Sequence, residues 1–158
     1  MSERSIGWAF VVGQTILVVA LIAVPRADHW PKPAWLEVAG LALVVVGLGL
    51  IVVAALRLGP ALTPTPVPTA DARLRTDGLY RWVRHPIYTG VLLAVAGVTI
   101  RSGSIVTLAV AGVTCGFFTA KARWEEQRLR ERFPEYAAYA AATPRFLPQP
   151  TRLRHPRG

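Results

Sequence analysis

In the segment Gly78-Leu79-Tyr80-Arg81-Trp82-Val83-Arg84-His85-Pro86-Ile87-Tyr88-Thr89-Gly90, guanidinium, imidazole and phenol groups stand at the mouth of an apolar stretch. Ionisable groups at membrane depth cost free energy, so a cluster at the water boundary reads as a site where a polar cofactor meets an apolar partner. A second set of chemistry-bearing side chains, the adjacent carboxylates Glu125 and Glu126, follows the last apolar stretch. Neighbours on a helix point to different faces, so one of the two is expected to turn toward the cluster. Each residue also has a plainer role: His85 bonding a loop carbonyl, Arg84 snorkelling to a lipid phosphate, one glutamate pairing with Arg123, Arg128 or Arg130.

The elements that must position these groups are membrane helices. A chain of 158 residues with 53% hydrophobic and 17% charged residues is too apolar for an ordinary soluble domain. Ile6 to Val24, with only Gln14 strongly polar, and Val38 to Leu56, with no charge, each match a spanning helix. Ile87 to Ile100 and Ile105 to Ala120 are shorter and separated only by Arg101-Ser102-Gly103-Ser104, which predicts a tight hairpin. Those two reach spanning length when Trp82, Val83, Lys121 and Trp124 sit at the interface. The first run exceeds the roughly 7 to 15 residues of a signal h-region, so it is read as an anchor and not a cleaved leader. The expectation is an all-α integral membrane protein of about four helices, followed by amphipathic helices.

The net charge of +9 is distributed unevenly. Arg57, Arg73, Arg75, Arg81 and Arg84 follow the second apolar run; Lys121, Arg123, Arg128, Arg130, Arg132, Arg145, Arg152, Arg154 and Arg157 follow the fourth. The other side holds Arg26, Lys32 and Arg101. This is the positive-inside pattern, which predicts cytoplasmic termini and a basic face meeting anionic lipid headgroups, not nucleic acid. An Arg-, Ala-, Val- and Pro-rich composition points to a high G+C genome, and the expected location is a bacterial inner membrane. The lone Cys115 rules out an internal disulfide or a cysteine cage for a metal and is expected to pack as a small hydrophobe.

Along the chain, Pro25 to Pro33 predicts a short outer turn with Trp30 and Trp35 as interfacial anchors. Leu58-Gly59-Pro60 ends the second helix, and Pro64, Pro66 and Pro68 predict an extended strap. Asp71 to Arg75 allows a helical turn, and Asp77-Gly78 marks a tight turn. Pro86 suits the first turn of the third helix, which biases His85 to an extended backbone with its ring projecting sideways. Gly90 and Gly97 leave faces where a ligand or a neighbouring helix can approach. Beyond the fourth run, Trp124 to Arg132 predicts a polar helix, broken at Pro134, and a short piece with Tyr136 and Tyr139 on one side ends at Pro144. The chain divides into a two-helix anchor (1–57), a core (58–148) and a basic tail (149–158).

The Pro60 to Pro68 strap, the Gly78-Leu79-Tyr80 turn, the Arg84 to Gly90 core, the Glu125-Glu126 pair and the Phe133-Pro134-Glu135-Tyr136 to Tyr139 to Pro144-Arg145-Phe146-Leu147-Pro148 pattern occur in this order. In these features the chain resembles the isoprenylcysteine carboxyl methyltransferase family and, more broadly, membrane methyltransferases that include phospholipid N-methyltransferases. The resemblance implies S-adenosylmethionine as methyl donor, with no Rossmann fold, and the sequence has no strand–Gly-rich–helix unit that would build one. It implies that Tyr80, His85, Pro86, Tyr88 and Gly90 contact the cofactor and that Glu125 or Glu126 takes the methionine ammonium. By the same resemblance Arg145 holds an anionic acceptor or the donor carboxylate, and Arg145 and Glu126 are the catalytic candidates. No metal is implied.

A carboxylate acceptor is already nucleophilic and needs alignment, whereas a lipid amine must lose a proton first, with Glu126, Glu125 or His85 as candidate base. The acceptor is expected to be lipophilic, an isoprenoid-like acid favoured, entering sideways between helices; the oligomeric state is left open. Two other readings stand beside this one. A sterol-type membrane reductase would bind NADPH at a comparable place and also carries an Arg-His-Pro element; a non-catalytic scaffold or lipid-binding subunit would keep only the fold.

Overall fold

The computed structural model describes residues 2–59 and 74–149. The predicted strap at Pro60 to Pro68, the start of the Asp71 to Arg75 turn and residues 150–158 of the tail lie outside the described residues. Five α-helices occur among those described: α1 (Glu3–Ala23), α2 (Ala34–Leu58), α3 (Pro86–Ser102), α4 (Ile105–Arg132) and α5 (Tyr136–Ala142). α1, α2 and α4 are long and apolar enough to cross a membrane, whereas α3, at 17 residues, is shorter. Helices therefore occur at all four expected places, and three of them are of spanning length.

Helix boundaries follow local chemistry. The Ser2 hydroxyl accepts from the Ser5 amide at 3.2 Å and starts α1. Pro86 stands at the first position of α3, where a missing N–H costs nothing. Gly103, at φ +62, terminates α3 in the left-handed conformation that a side chain disfavours, and α4 begins two residues later.

The fourth apolar run continues without a break into the polar helix expected over Trp124 to Arg132. Lys121 to Trp124 contains neither Gly nor Pro, so α4 runs unbroken for 28 residues. At 1.5 Å per residue that is about 42 Å, longer than a hydrocarbon core of about 30 Å. The surplus carries Glu125 and Glu126 beyond the apolar part of the helix.

Large apolar side chains face outward, among them Ile16, Ile22, Val45, Leu56 and Val113. That pattern suits lipid as solvent. Cys115 is on this exposed face of α4 and not within the packed interior. Inside, Leu21 of α1, Val95 of α3 and Ala111 of α4 form a core cluster. α2 and α3 approach closely because glycines face each other: a Cβ on Gly90 would lie 2.6 Å from the Gly47 carbonyl oxygen, and Gly97 meets Gly40 in the same way.

The Pro25 to Pro33 connector docks on the α3–α4 turn. The Ala27 amide donates to the Ser102 carbonyl at 2.8 Å, the His29 amide to Gly103 at 3.0 Å, and the Trp30 indole to Ile100 at 3.3 Å. Trp35 is exposed, as an interfacial anchor would be. The Arg101–Glu37 pair at 3.1 Å fixes the same end of α3 to α2. Functional chemistry gathers at the other end of α3, about 25 Å away by helical rise.

Candidate active site

The site begins with a backbone constraint. Gly78, at φ +56, opens a 3-10 turn over Gly78–Arg81, and the residue preceding Pro86 cannot be helical. His85 accordingly sits at φ −125, ψ 65, so its ring projects off the start of α3. The backbone here is non-helical without being fully extended as expected, and it pairs with the C-terminal pattern. The Arg84 amide donates to the Pro144 carbonyl at 2.9 Å and the His85 amide to Arg145 at 3.1 Å. The Thr89 hydroxyl donates to Phe146 at 2.8 Å. Three hydrogen bonds thus lay Pro144 to Phe146 alongside Arg84 to Thr89.

Glu126 is the hub between these strands of chain. Its Oε1 accepts from Arg84 Nε at 3.1 Å and Nη2 at 3.0 Å, from His85 Nε2 at 3.1 Å and from Arg145 Nε at 2.8 Å. Its Oε2 accepts from Arg145 Nη2 at 2.8 Å, which completes a two-pronged guanidinium pair. The Glu126 side chain is only 5% exposed and Arg84 10%, so both charges are compensated inside the protein instead of by water. The carboxylate beside it pushes Arg145 above the ordinary guanidinium range. The remaining Arg84 nitrogen, Nη1, donates to the carbonyls of Ala140 at 2.7 Å and of Thr143, capping the end of α5.

Glu125 reaches the same cluster from another side, so both carboxylates turn toward it and not just the one expected. Its Oε2 accepts from the Tyr88 hydroxyl at 2.9 Å and lies 3.6 Å from His85 Nδ1, while the side chain remains 26% exposed. The rings of His85 and Tyr88 are stacked 5.1 Å apart and within 4° of parallel. Phe118 and Phe146 flank them. Tyr80 is buried below, and burial together with the nearby Glu125 charge pushes its hydroxyl up to about 12. Its carbonyl accepts from the Tyr139 hydroxyl, tying α5 to the 3-10 turn. Burial raises the Tyr139 and Tyr136 hydroxyls well above the ordinary phenol range.

The expected residues therefore converge: His85, Tyr88, Glu125, Glu126 and Arg145 form one cluster, with Tyr80 beneath it. Pro86 is buried at the start of α3, where it shapes the turn. The bare face of Gly90 is taken by α2, so of the two expected uses of that glycine the structure displays helix approach. Tyr136 and Tyr139 are not interfacial belt residues, for Tyr136 is fully buried and Tyr139 is hydrogen-bonded inward. Trp82 is exposed, as a belt residue is.

Two residues differ from their expected roles. Arg84 does not snorkel, because three of its nitrogens are bonded within the protein. Lys121, expected at the interface, is 4% exposed and donates to Gln14 Oε1 at 2.6 Å. The signal for that pair was present in the sequence, since Gln14 is the strongly polar residue of the first apolar run and Lys121 the first charge after the fourth.

The family model for phospholipid methyltransferases matches residues 35–136, a stretch that contains the Arg-His-Pro turn and both glutamates. The chain belongs to this family. Among curated relatives, the phospholipid methyltransferase-family chain is 36% identical over 77 residues to the cobalt-zinc-cadmium resistance protein CzcN of Cupriavidus metallidurans, covering 48% of this chain and 36% of that one. It is 28% identical over 151 residues to the nickel-cobalt-cadmium resistance protein NccN of Alcaligenes xylosoxydans xylosoxydans, covering 94% and 67%. It is 29% identical over 125 residues to protein-S-isoprenylcysteine O-methyltransferase B of Arabidopsis thaliana, covering 77% and 61%.

Among solved structures, a eukaryotic intramembrane Ras methyltransferase, the isoprenylcysteine carboxyl methyltransferase, superposes with a TM-score of 0.67 at 25% identity, over 92% of this chain and 50% of that one. The chain thus spans between about a third and two thirds of the length of the curated relatives it matches. Apolar helices and the fold shared with that methyltransferase make this phospholipid methyltransferase-family chain an integral membrane protein.

Proposed function

We propose that the protein is a membrane methyltransferase that uses S-adenosylmethionine and transfers its methyl group to a lipophilic acceptor reached from the bilayer. The observation that carries this reading is the direct contact of the Arg84-His85-Pro86 turn with the Glu125-Glu126 pair, in a chain of the phospholipid methyltransferase family.

The residues present fit such a donor. Glu125 has one oxygen engaged by Tyr88 and is partly exposed, which suits a carboxylate offered to an ammonium group. The stacked His85 and Tyr88 rings form a wall with both π faces and polar edges beside it. When bound, S-adenosylmethionine supplies a methyl carbon whose bond to sulfur breaks as an acceptor lone pair bonds to it, with the electron pair returning to sulfur.

Glu125 would hold the donor's ammonium, and His85 and Tyr88 would set its orientation. Glu126 and Arg145 act by position in this reading: their two-pronged pair, with Arg84, clamps the C-terminal segment over the turn. Alignment is the main contribution that such a displacement needs from a protein. The basic face supports a site at the cytoplasmic leaflet, with both termini on that side and anionic headgroups against it.

Isothermal titration of purified protein with S-adenosylhomocysteine tests the donor site. Binding is expected in the unaltered protein and is weakened by about tenfold or more in Glu125→Gln, as loss of a charge-assisted bond dictates. His85→Ala is expected to weaken it as well. Equal affinity in both variants, or binding of NADPH in place of S-adenosylhomocysteine, would sink the assignment.

A further inference from the structure

His85 lies against both glutamates, and its two ring nitrogens meet them unequally. Nε2 stands 3.1 Å from Glu126 Oε1. Glu126 is already paired with the guanidiniums of Arg84 and Arg145, so it is an ionised acceptor with no hydrogen to give, and Nε2 carries the proton. Nδ1 stands 3.6 Å from Glu125 Oε2, an oxygen that accepts from the Tyr88 hydroxyl. In a neutral ring with its hydrogen on Nε2, Nδ1 presents a lone pair to that oxygen. Two acceptors then face each other across a gap longer than a hydrogen bond.

Either of two cations relieves this opposition. A proton on Nδ1 makes an imidazolium with a donor toward each glutamate. An ammonium lodged beside the pair donates to both, because a nitrogen about 2.9 Å from each atom closes a triangle whose third side is the observed 3.6 Å. Glu125 is 26% exposed, so the pair is reached from the side of that carboxylate. An ammonium cannot donate to an Nδ1 that already holds a proton, and it would bring a second positive charge against an imidazolium.

We propose that the donor's ammonium and a proton on His85 Nδ1 exclude one another, so that donor binding displaces a proton and weakens in acid. The inference rests on the methyl-transfer reading, which assigns that ammonium to Glu125, and it adds His85 Nδ1 as the second acceptor. The groups around the ring pull in both directions. Glu125 and Glu126 favour the imidazolium. Arg84 and Arg145 on the Glu126 side, and Lys121 at 5.3 Å from the Tyr88 ring, oppose a further positive charge. Tyr80, Tyr88 and Tyr136, the phenols near the two carboxylates, stay neutral below ~9 and take no part in the titration. The linkage has one sign: affinity is complete where Nδ1 is unprotonated and is lost as pH falls, because protons then compete with the ligand.

The test reads binding and protons, not turnover. S-adenosylhomocysteine, which keeps the donor's ammonium, is titrated into the unaltered protein in nanodiscs across the histidine range, in buffers of different ionisation enthalpy. Affinity is expected to fall by about fivefold or more from about pH 8 to about pH 5.5, with heats at the acid end that vary with the buffer as proton release requires. Long-range nitrogen–proton spectra of the three histidine rings identify the source, with His85 assigned by elimination in His29→Gln and His155→Gln. At the acid end the Nδ1 proton of His85 is expected in the empty protein and is lost when S-adenosylhomocysteine is added. Level affinity across the range, binding without proton release, or an Nδ1 proton retained in the complex would each overturn the inference and leave the donor reading standing. No binding of S-adenosylhomocysteine at any pH would instead sink the donor reading itself, and this inference with it.

Discussion

Glu125 and Glu126 are adjacent in sequence and opposite in circumstance. Glu126 accepts five N–H bonds and neutralises the guanidiniums of Arg84 and Arg145; Glu125 accepts one phenolic hydrogen and reaches solvent. Removing one partner of a buried charge network leaves the others uncompensated, at about 3–5 kcal/mol. Glu126→Ala is therefore expected to lower the thermal midpoint in nanodiscs severely. Glu125→Gln should leave that midpoint near the unaltered value while weakening S-adenosylhomocysteine. If both variants melt alike, the division of labour between the two carboxylates is wrong. Arg84→Lys is expected to behave like a milder Glu126→Ala, because an ammonium cannot span the Glu126 carboxylate and the α5 carbonyls at once. Retention of the full melting temperature in that variant would show that the fork geometry contributes nothing.

The elements that carry these residues are held by two different means. α2 and α3 touch through glycine backbones, so a side chain added at Gly47 would collide with the Gly90 carbonyl at 2.5 Å and with α3 backbone at Ala94. Gly47→Val is expected to destabilise by about 1–3 kcal/mol or more, the usual cost of overpacking. Gly112→Val on α4, where the position opens on empty space, should be close to neutral by the same melting assay. Equal effects at the two glycines would show that the α2–α3 contact is not formed as described. α5 is held by polar bonds instead, from Arg84 to its last carbonyls and from Tyr139 to the 3-10 turn.

For the whole molecule, the buried phenols set an alkaline limit. Tyr80 is raised to about 12, and Tyr136 and Tyr139 are raised also, chiefly by burial. An unfolded tyrosine titrates near 10, so above ~10 the unfolded chain releases protons that the folded chain retains. Stability from these groups is therefore complete below that pH and is lost as pH rises through the folded values. Melting midpoints should be level from neutral pH to ~9 and fall steeply above ~10, with a shallower fall in Tyr139→Phe. An unchanged slope in that variant would remove Tyr139 from the account.

The membrane character, most helix ends and the set of polar residues that meet in the candidate site were legible in the sequence, because they depend on local causes: apolar length, the conformational limits around Pro86 and Gly103, and the ordered set of polar motifs. What tertiary structure alone decided were the partners. Arg84 looked like a snorkelling residue because a boundary arginine ordinarily finds lipid phosphate, and only the arrival of Glu126 and the end of α5 from distant sequence gave it a closer set of acceptors. The use of Gly90 depended on which helix came to lie beside it. The unbroken α4 brought Lys121 into the interior, where Gln14 of α1 met it. A charge at a helix end is free to face water or protein, and that choice is made by the free energy of contacts between segments far apart in the chain, which no local pattern encodes.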